Sequence, residues 1–395
     1  MVGPVGHTHR DLTGRPFIVI WEVTRACDLA CRHCRAEAIP YRDPEELTTL
    51  EGGRLIDQIA AFGRPPPLFV MTGGDPFKRP DLFELVRHAA SVRLPVAVSP
   101  SGTPMLTRRN LTRLHEAGAT ALSLSLDGST AEIHDGFRGV EGVYGSTLAA
   151  WKAAREIGFK VQVNTTVTPH NLDDLTNILR LVREFGCMTW SVFFLVPTGR
   201  GEGLPQLSAQ EFEDVLNFLY DVDKIVSVKT TEAYHFRRVS VQRRILEEDG
   251  GNVAIAMRLG PTYRRLRARL EELGFDDGAA IRRAPLDVGA GRGFVFVSHT
   301  GLVQPSGFLP LAVGNVRQRP LTEIYRESPL FVAFRDPDQL KGRCGACEFR
   351  FVCGGSRSRA FGATGDPLEE ESWCTYQPGS FGRRERIEEL IGAGV

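Results

Sequence analysis

Between residues 17 and 226 the chain repeats one unit six times: a short apolar or β-branched run, a loop containing Gly, Pro or Asp, and an amphipathic stretch at helical period. The runs are FIVIWEVT, LFVMTGG, PVAVSPSG, ALSLSLDG, KVQVNTTVT and TWSVFFLVP, and the helical stretches lie around 47–63, 81–93, 107–118, 143–158, 172–186 and 208–226. Nearly continuous apolar strands alternating with helices call for a parallel sheet, covered by helices and wound right-handed. A doubly wound sheet and an incomplete barrel both satisfy that pattern. Ligands bind at the C-terminal ends of the strands in either architecture, and here many of those ends carry polar or Gly-rich loops (GGDP, SPSG, SLDG, VTPHN, VPTGRG). So many decorated ends suit a barrel mouth better. The expectation is an α/β fold, a partial (β/α)6 TIM-type barrel over 17–226, preceded by a short tail, 1–16.

After the barrel the pattern becomes helical and Arg-rich, a connecting segment over 227–285 with loops at EEDGGN and GFDDGA. A smaller unit over 286–395 follows. Its GFVFVSHTGLVQPSGFLP reads as a β-hairpin turning at His299 to Gly301, then come loops rich in Gly and Cys and a last helix over 381–392. This tail has too few regular elements to bury a large core, and its cysteines suggest what holds it together.

Charge excludes some functions. Lys plus Arg number 48, and so do Asp plus Glu, so no bulk field favours nucleic acid or an anionic membrane. The positive charge is nearly all Arg, a bias expected of GC-rich coding, which weakens any inference from basic runs such as HFRRVSVQRR. No apolar run approaches the roughly 18 residues of a membrane span, and the first residues are too polar for a signal peptide. A cytoplasmic protein is expected. Of its eight cysteines, Cys187 stands alone and reads as a small buried hydrophobe; the others form two tight groups. In a reducing compartment such grouping points to metal or cluster ligation rather than disulfides.

The first group, Cys27, Cys31 and Cys34, has the spacing Cys-x3-Cys-x2-Cys. A 4Fe-4S cube takes one thiolate per iron, so three cysteines leave one iron open. An open position marks a catalytic site, as it does for zinc. The alternative, a zinc knuckle with His33 as fourth ligand, would crowd three ligands into neighbouring positions. The second group, Cys344, Cys347, Cys353 and Cys374, supplies four thiolates and closes its site; spacing alone admits structural zinc there as well.

The three-cysteine motif after a first strand, an aromatic-type residue just before its last cysteine, and GGDP after the second strand resemble the radical S-adenosylmethionine (SAM) superfamily. The resemblance implies that SAM's methionine moiety chelates the open iron and that reduction releases a 5′-deoxyadenosyl radical, which abstracts a substrate hydrogen. It also implies a low-potential electron donor of flavodoxin or ferredoxin type. On this reading Gly73, Gly74, Asp75 and Pro76 offer main-chain groups to the methionine ammonium, with Asp75 standing where the family usually has Glu. Ser125 and Asp127, which share a face of their strand end, would lie near SAM's ribose or carboxylate, with Arg138 as a carboxylate partner. Asn164 and Thr166 have similar but weaker cases, and His33 would sit beside the adenine.

The four-cysteine tail resembles the SPASM extension of that superfamily, which usually carries two auxiliary 4Fe-4S clusters. The ligand set of the second cluster is matched. The usual further cysteine after Cys353 is Arg357 here, and an upstream one is replaced around Ser306, so the first auxiliary cluster is expected to be absent. WEVTRACDLACRHCRAEA, FFLVPTGRG and PSGFLPLAVGNVR look most like the branch containing haem d1 and alternative haem biosynthesis enzymes, which act on the propionate side chains of iron tetrapyrroles. Such a substrate needs cations for its carboxylates, and His235, Arg237 and Arg238 in TTEAYHFRRV are candidates, against the plainer reading of a solvated Arg-rich surface. Two rival readings are a peptide maturase, whose leader-binding module would not fit in the 16 residues before the first strand, and a zinc-stabilised binding protein without catalytic function.

Overall fold

The computed structural model describes residues 12–275 and 288–392. Parts of the expected N-terminal tail, of the GFDDGA loop and of the two C-terminal segments lie outside the described residues. Every expected strand and helix pair is present: β1 (Ile18–Glu22) with α1 (Thr49–Ala60), β2 (Leu68–Thr72) with α2 (Leu82–Ser91), and β3 (Val96–Val98) with α3 (Arg108–Glu116). Then come β4 (Ala121–Ser125) with α4 (Ala131–Arg138) and α5 (Val143–Ile157), β5 (Lys160–Val167) with α6 (Leu175–Phe185), and β6 (Thr189–Phe194) with α7 (Ala209–Val222). Local chemistry sets the helix ends. Thr48 with Glu51 and Ser208 with Glu211 form capping boxes at α1 and α7, and α5 stops at Gly158 in the left-handed region (φ 107°).

Strands β1 to β6 pair in parallel in chain order. Two departures from the sequence pattern matter. A seventh strand, β7 (Val228–Thr231), extends the sheet beyond β6 from within the stretch expected to be helical; at four residues it is too short to stand out from its surroundings. It is followed by α8 (His235–Asp249), α9 (Val253–Ala256) and α10 (Pro261–Glu272). The C-terminal hairpin, moreover, belongs to the barrel sheet. After β8 (Gly289–Ala290), β9 (Gly293–Val297) pairs in parallel with β1, and β10 (Leu302–Gln304) and β11 (Gly314–Asn315) continue outward, antiparallel. Among the described residues five short helices complete the tail: α11 (Leu321–Glu327), α12 (Pro329–Arg335), α13 (Gly342–Ala346), α14 (Arg357–Thr364) and α15 (Arg384–Gly392).

Alternation along the strands separates two environments. Val19, Trp21, Phe69, Met71, Val163, Trp190 and Val192 join helix residues such as Leu55, Leu85, Leu114, Trp151 and Leu179 in one core. The opposite face is polar across β4 to β6, where Ser125, Asn164 and Ser191 stand in register. A polar face inside a covered sheet is the lining of a site.

The long segment between β1 and α1 carries the first three cysteines and has almost no regular structure, so other contacts must fix it. The loop after β2 does so: the amides of Gly74 and Asp75 donate to the carbonyls of Thr24 (2.8 Å) and Ala26 (2.7 Å). A Cβ on Gly73 would lie 2.4 Å from the Thr24 oxygen, and one on Gly74 2.4 Å from that of Ala26. Both glycines are required by this backbone contact. The same segment is clasped to the hairpin: Glu22 accepts from Arg35 (3.0 Å) and meets His299 Nδ1 (2.8 Å), whose Nε2 faces Asp43 (3.3 Å).

Gly73→Ala therefore forces the cysteine segment off the end of β2, at an overpacking cost of about 1–3 kcal/mol. The variant should fold, while Cys27, buried in the parent, becomes reactive to a thiol reagent in metal-free protein. The clasp gives a pH dependence. Burial works against the Glu22 charge, but Arg35 and His299 outweigh it and lower its pKa, so its contribution is lost as pH falls through that lowered value. Burial likewise disfavours His299 protonation, but the hydrogen bonds to Glu22 and Asp43 raise its pKa, so its contribution is complete below about pH 6.5 and lost as pH rises through the raised value. The thermal midpoint should fall above that value in the parent and stay flatter over the same range in His299→Gln.

Candidate functional site

Cys27, Cys31 and Cys34 gather at the C-terminal end of β1, with Leu29 and Val143, in a small apolar cluster. The amide of Cys27 donates to Ile39 (2.8 Å) and that of Cys34 to Cys31 (3.3 Å); the Arg25 guanidinium closes the turn on the carbonyls of Ala36 and Glu37 (both 2.9 Å). Ser101, from the loop after β3, bridges Cys27 Sγ (3.6 Å) and the Gly74 carbonyl (2.5 Å). In the sequence SPSG stands out only as a decorated strand end. The loop after β6 closes the far side: the Arg200 amide donates to Cys34 (3.1 Å), and a Cβ on Gly199 would lie 2.7 Å from the Cys34 oxygen. Burial raises the pKa of both Cys27 and Cys31, the second against the nearby Arg138 guanidinium. Ligation to a metal would reverse this preference, because a coordinating thiol is deprotonated outright.

Arg138, at the end of α4, connects the thiols to the strand ends. Its guanidinium is ion-paired with the fully buried Asp127 and reaches Cys31 Sγ at 3.7 Å. Asp127 also accepts from the Thr166 amide (2.7 Å), while its own amide donates to His134 Nδ1 (3.0 Å). Burial disfavours the Asp127 charge, but Arg138, followed by His33 and His134, holds its pKa below the ordinary value. Arg138, read from the sequence as a partner for SAM's carboxylate, is thus already paired with Asp127 within the chain. His33 stacks on Phe137 (4.3 Å between ring centres, planes 7° apart), and Phe137 on His170 (5.5 Å). Burial and Arg138 bring the His33 pKa down to about 3, and its buried Nδ1 has no protein partner. A neutral ring with a spare polar atom beside three thiols fits an organic ligand there.

Asp75 is fully buried and capped by protein groups: Thr103 donates at 2.5 Å and the Phe77 amide at 3.2 Å, which positions the short turn opened by Pro76. Both oxygens of its carboxylate are therefore taken up within the chain. Ser125 and Asn164 lie side by side on the polar face, Asn164 accepting from Gln162 (2.7 Å).

A second site lies in the tail. Cys344, Cys347, Cys353 and Cys374 all line one cavity, between α8 and the loops from 342 to 378. Beneath it Val241 and Ile245 of α8 pack on Phe349, Val352 and Ile387. All four thiols thus border one enclosed space. Four thiolates around one space can hold a cube with an iron at each corner or a tetrahedral zinc. Burial raises the pKa of all three of Cys347, Cys353 and Cys374, that of Cys347 to about 12.

His235 and Arg238, expected among the substrate contacts, line this cavity instead. Arg238 is buried on Glu213 (2.9 and 2.6 Å) and approaches Cys374 Sγ at 3.9 Å; Arg237 donates to the carbonyls of Val352 (3.2 Å) and Val288 (2.5 Å). A helix read from sequence as an Arg-rich surface is thus turned inward against the tail. The two positions where SPASM extensions usually have cysteines of a further cluster carry hydrogen-bonding side chains. Ser306 Oγ donates to Glu232 (3.0 Å), which also accepts from Ser356 (2.5 Å), and the neighbouring Arg357 turns its guanidinium to Cys344 Sγ (3.7 Å). The lone Cys187 is half-buried against the main core, and burial pushes its thiol up to about 11.

The chain is similar to known proteins over most of its length. The radical SAM superfamily model matches residues 21–182. The AdoMet-dependent heme synthase of Oleidesulfovibrio alaskensis is 42% identical over 365 residues, 91% of this chain and 87% of that protein. That of Methanosarcina barkeri is 38% identical, over 93% of this chain and 99% of its own length. Among solved structures, Streptococcus suis SuiB bound to its precursor peptide SuiA shares the fold, with a TM-score of 0.66 at 14% identity over 92% of this chain and 76% of that one. The family uses SAM with a 4Fe-4S cluster and requires an electron donor, and the conclusion is direct: this chain is a radical SAM enzyme and belongs to the family that includes the AdoMet-dependent heme synthases.

Proposed function

We propose that the enzyme acts on the propionate side chains of an iron tetrapyrrole in haem formation, removing or decarboxylating them. The observation that carries this reading is the full-length similarity to heme synthases, at about two residues in five, in a chain whose three N-terminal thiols gather at the mouth of the barrel. Cys27, Cys31 and Cys34 hold the SAM-binding cluster, and Cys344, Cys347, Cys353 and Cys374 an auxiliary one. When bound, the first cluster and SAM supply a 5′-deoxyadenosyl radical that abstracts a substrate hydrogen. The chain's own contribution is placement. Ser101, Arg138 and the Arg200 amide fix the three cysteines, the Gly73 and Gly74 main chain faces the methionine end, and His33 on Phe137 offers an apolar wall with one polar atom for the adenine. The polar row Ser125, Asn164 and Ser191 lines the interior where substrate would lie. The electron donor is of flavodoxin or ferredoxin type and the setting cytoplasmic; no helix among the described residues is long and apolar enough to cross a membrane.

Purified and reconstituted without oxygen, the chain should bind about eight irons, four per cube, and no zinc. With SAM and dithionite it should form 5′-deoxyadenosine, faster when a propionate-bearing iron porphyrin is present, and the porphyrin should lose carbon dioxide. If neither a porphyrin nor modified sirohaem binds or increases 5′-deoxyadenosine formation, the tetrapyrrole assignment fails. Cys31→Ala should abolish 5′-deoxyadenosine formation altogether; a variant that still produced it would contradict the role given to that thiol.

A further inference from the structure

The four-cysteine cavity contains a polar side chain that nothing in the protein satisfies. His235 opens α8, is completely buried, and is held by stacking on Phe212 (5.5 Å between ring centres, planes 21° apart). Neither ring nitrogen has a hydrogen-bond partner. Buried polar groups are rarely left unpaired, because the lost hydration is not returned. The other polar side chains of the cavity wall are engaged: Arg343 with Glu370 (3.0 Å), Arg350 with Asp338 (3.0 Å), Glu371 with Arg359 (3.2 Å) and Tyr376 with Glu348. The ring faces the space that the thiols enclose, and either tautomer of a neutral imidazole carries one N–H.

We propose that His235 donates a hydrogen bond to a sulfur of the cluster held by Cys344, Cys347, Cys353 and Cys374, and that with the guanidinium groups of Arg238 and Arg357 it sets the reduction potential of that cluster. This rests on the auxiliary-cluster assignment above. Reduction adds one negative charge to the cube, so donors and cations aimed at its sulfurs stabilise the reduced form more than the oxidised one. Arg238 lies 3.9 Å from Cys374 Sγ and Arg357 3.7 Å from Cys344 Sγ, so two thiolate corners face a guanidinium. His235 adds a neutral donor. Arg357 stands where SPASM extensions usually have a further cysteine, so at this position the chain lacks a ligand and has a cation beside a retained one.

The test uses the full chain with Cys27, Cys31 and Cys34 replaced by Ala, so that only the tail cluster can form. About four irons and no zinc uphold the assignment on which the proposal rests; no iron overturns both. In iron-loaded protein labelled with 15N-histidine, pulsed electron–nuclear double resonance of the reduced cluster should show a weak 15N coupling, absent from His235→Phe. An EPR-monitored titration should show reduction about tenfold less favourable in His235→Phe, 59 mV for one electron, with partial recovery in His235→Gln, whose amide still donates. No 15N coupling in the parent, or a potential unchanged in His235→Phe, overturns the role of His235 while leaving the cluster in place. If His235→Phe fails to load iron, the 15N coupling in the parent decides.

Discussion

The backbone ladder between Ile18–Trp21 of β1 and Phe294–Val297 of β9 is the contact on which the molecule depends. It turns the first strand from an edge into an interior strand, flanked by β2 on one side and the tail on the other. The cysteine segment that leaves β1 is thereby gripped from both neighbours: by the glycine loop after β2, and by His299 in the turn after β9. Arg35, one residue beyond the third cysteine, lies over the Phe296 ring (4.5 Å) while bonding Glu22. Tail and barrel are therefore one mechanical unit around this segment.

Both thiol groups are approached by an arginine that a buried carboxylate holds in place. Asp127 fixes Arg138 against Cys31, and Glu213 fixes Arg238 against Cys374. A guanidinium brought alone into such surroundings would cost several kcal/mol in lost hydration; pairing offsets much of that and fixes the direction of the fork. The pairs are useful for orientation more than for stability. Each leaves a cation beside a sulfur that becomes anionic when it ligates metal.

Much of this was legible in the sequence, because strand and helix periodicity and cysteine spacing are local signals. Six βα units, the open three-thiol motif, the closed four-thiol motif and the hairpin turn at His299 could all be read from residues close in the chain. Partner choice across distance could not. Nothing near Arg138 signals that it pairs with Asp127, and nothing in HFRRV shows that His235 and Arg238 turn inward. The Arg-rich run resembled solvated surface because α8 hides its charges on Glu213 and Asp221 of the preceding helix. Strand β7 was lost because four residues give too few alternations to count, and the pairing of β9 with β1 because a strand does not record its neighbour.

The same β1–β9 ladder has a consequence during synthesis. At ordinary ribosomal rates of about 5–20 residues per second, β9 follows β1 out of the ribosome by roughly 14 to 55 seconds. Throughout that interval the nascent chain presents an apolar strand with one unpaired edge, next to three thiols whose packing is incomplete. An open edge is a template for wrong pairing. Slow translation lengthens the exposure while chaperone occupancy covers it, so the yield of intact protein is set partly by how fast the last third of the chain arrives.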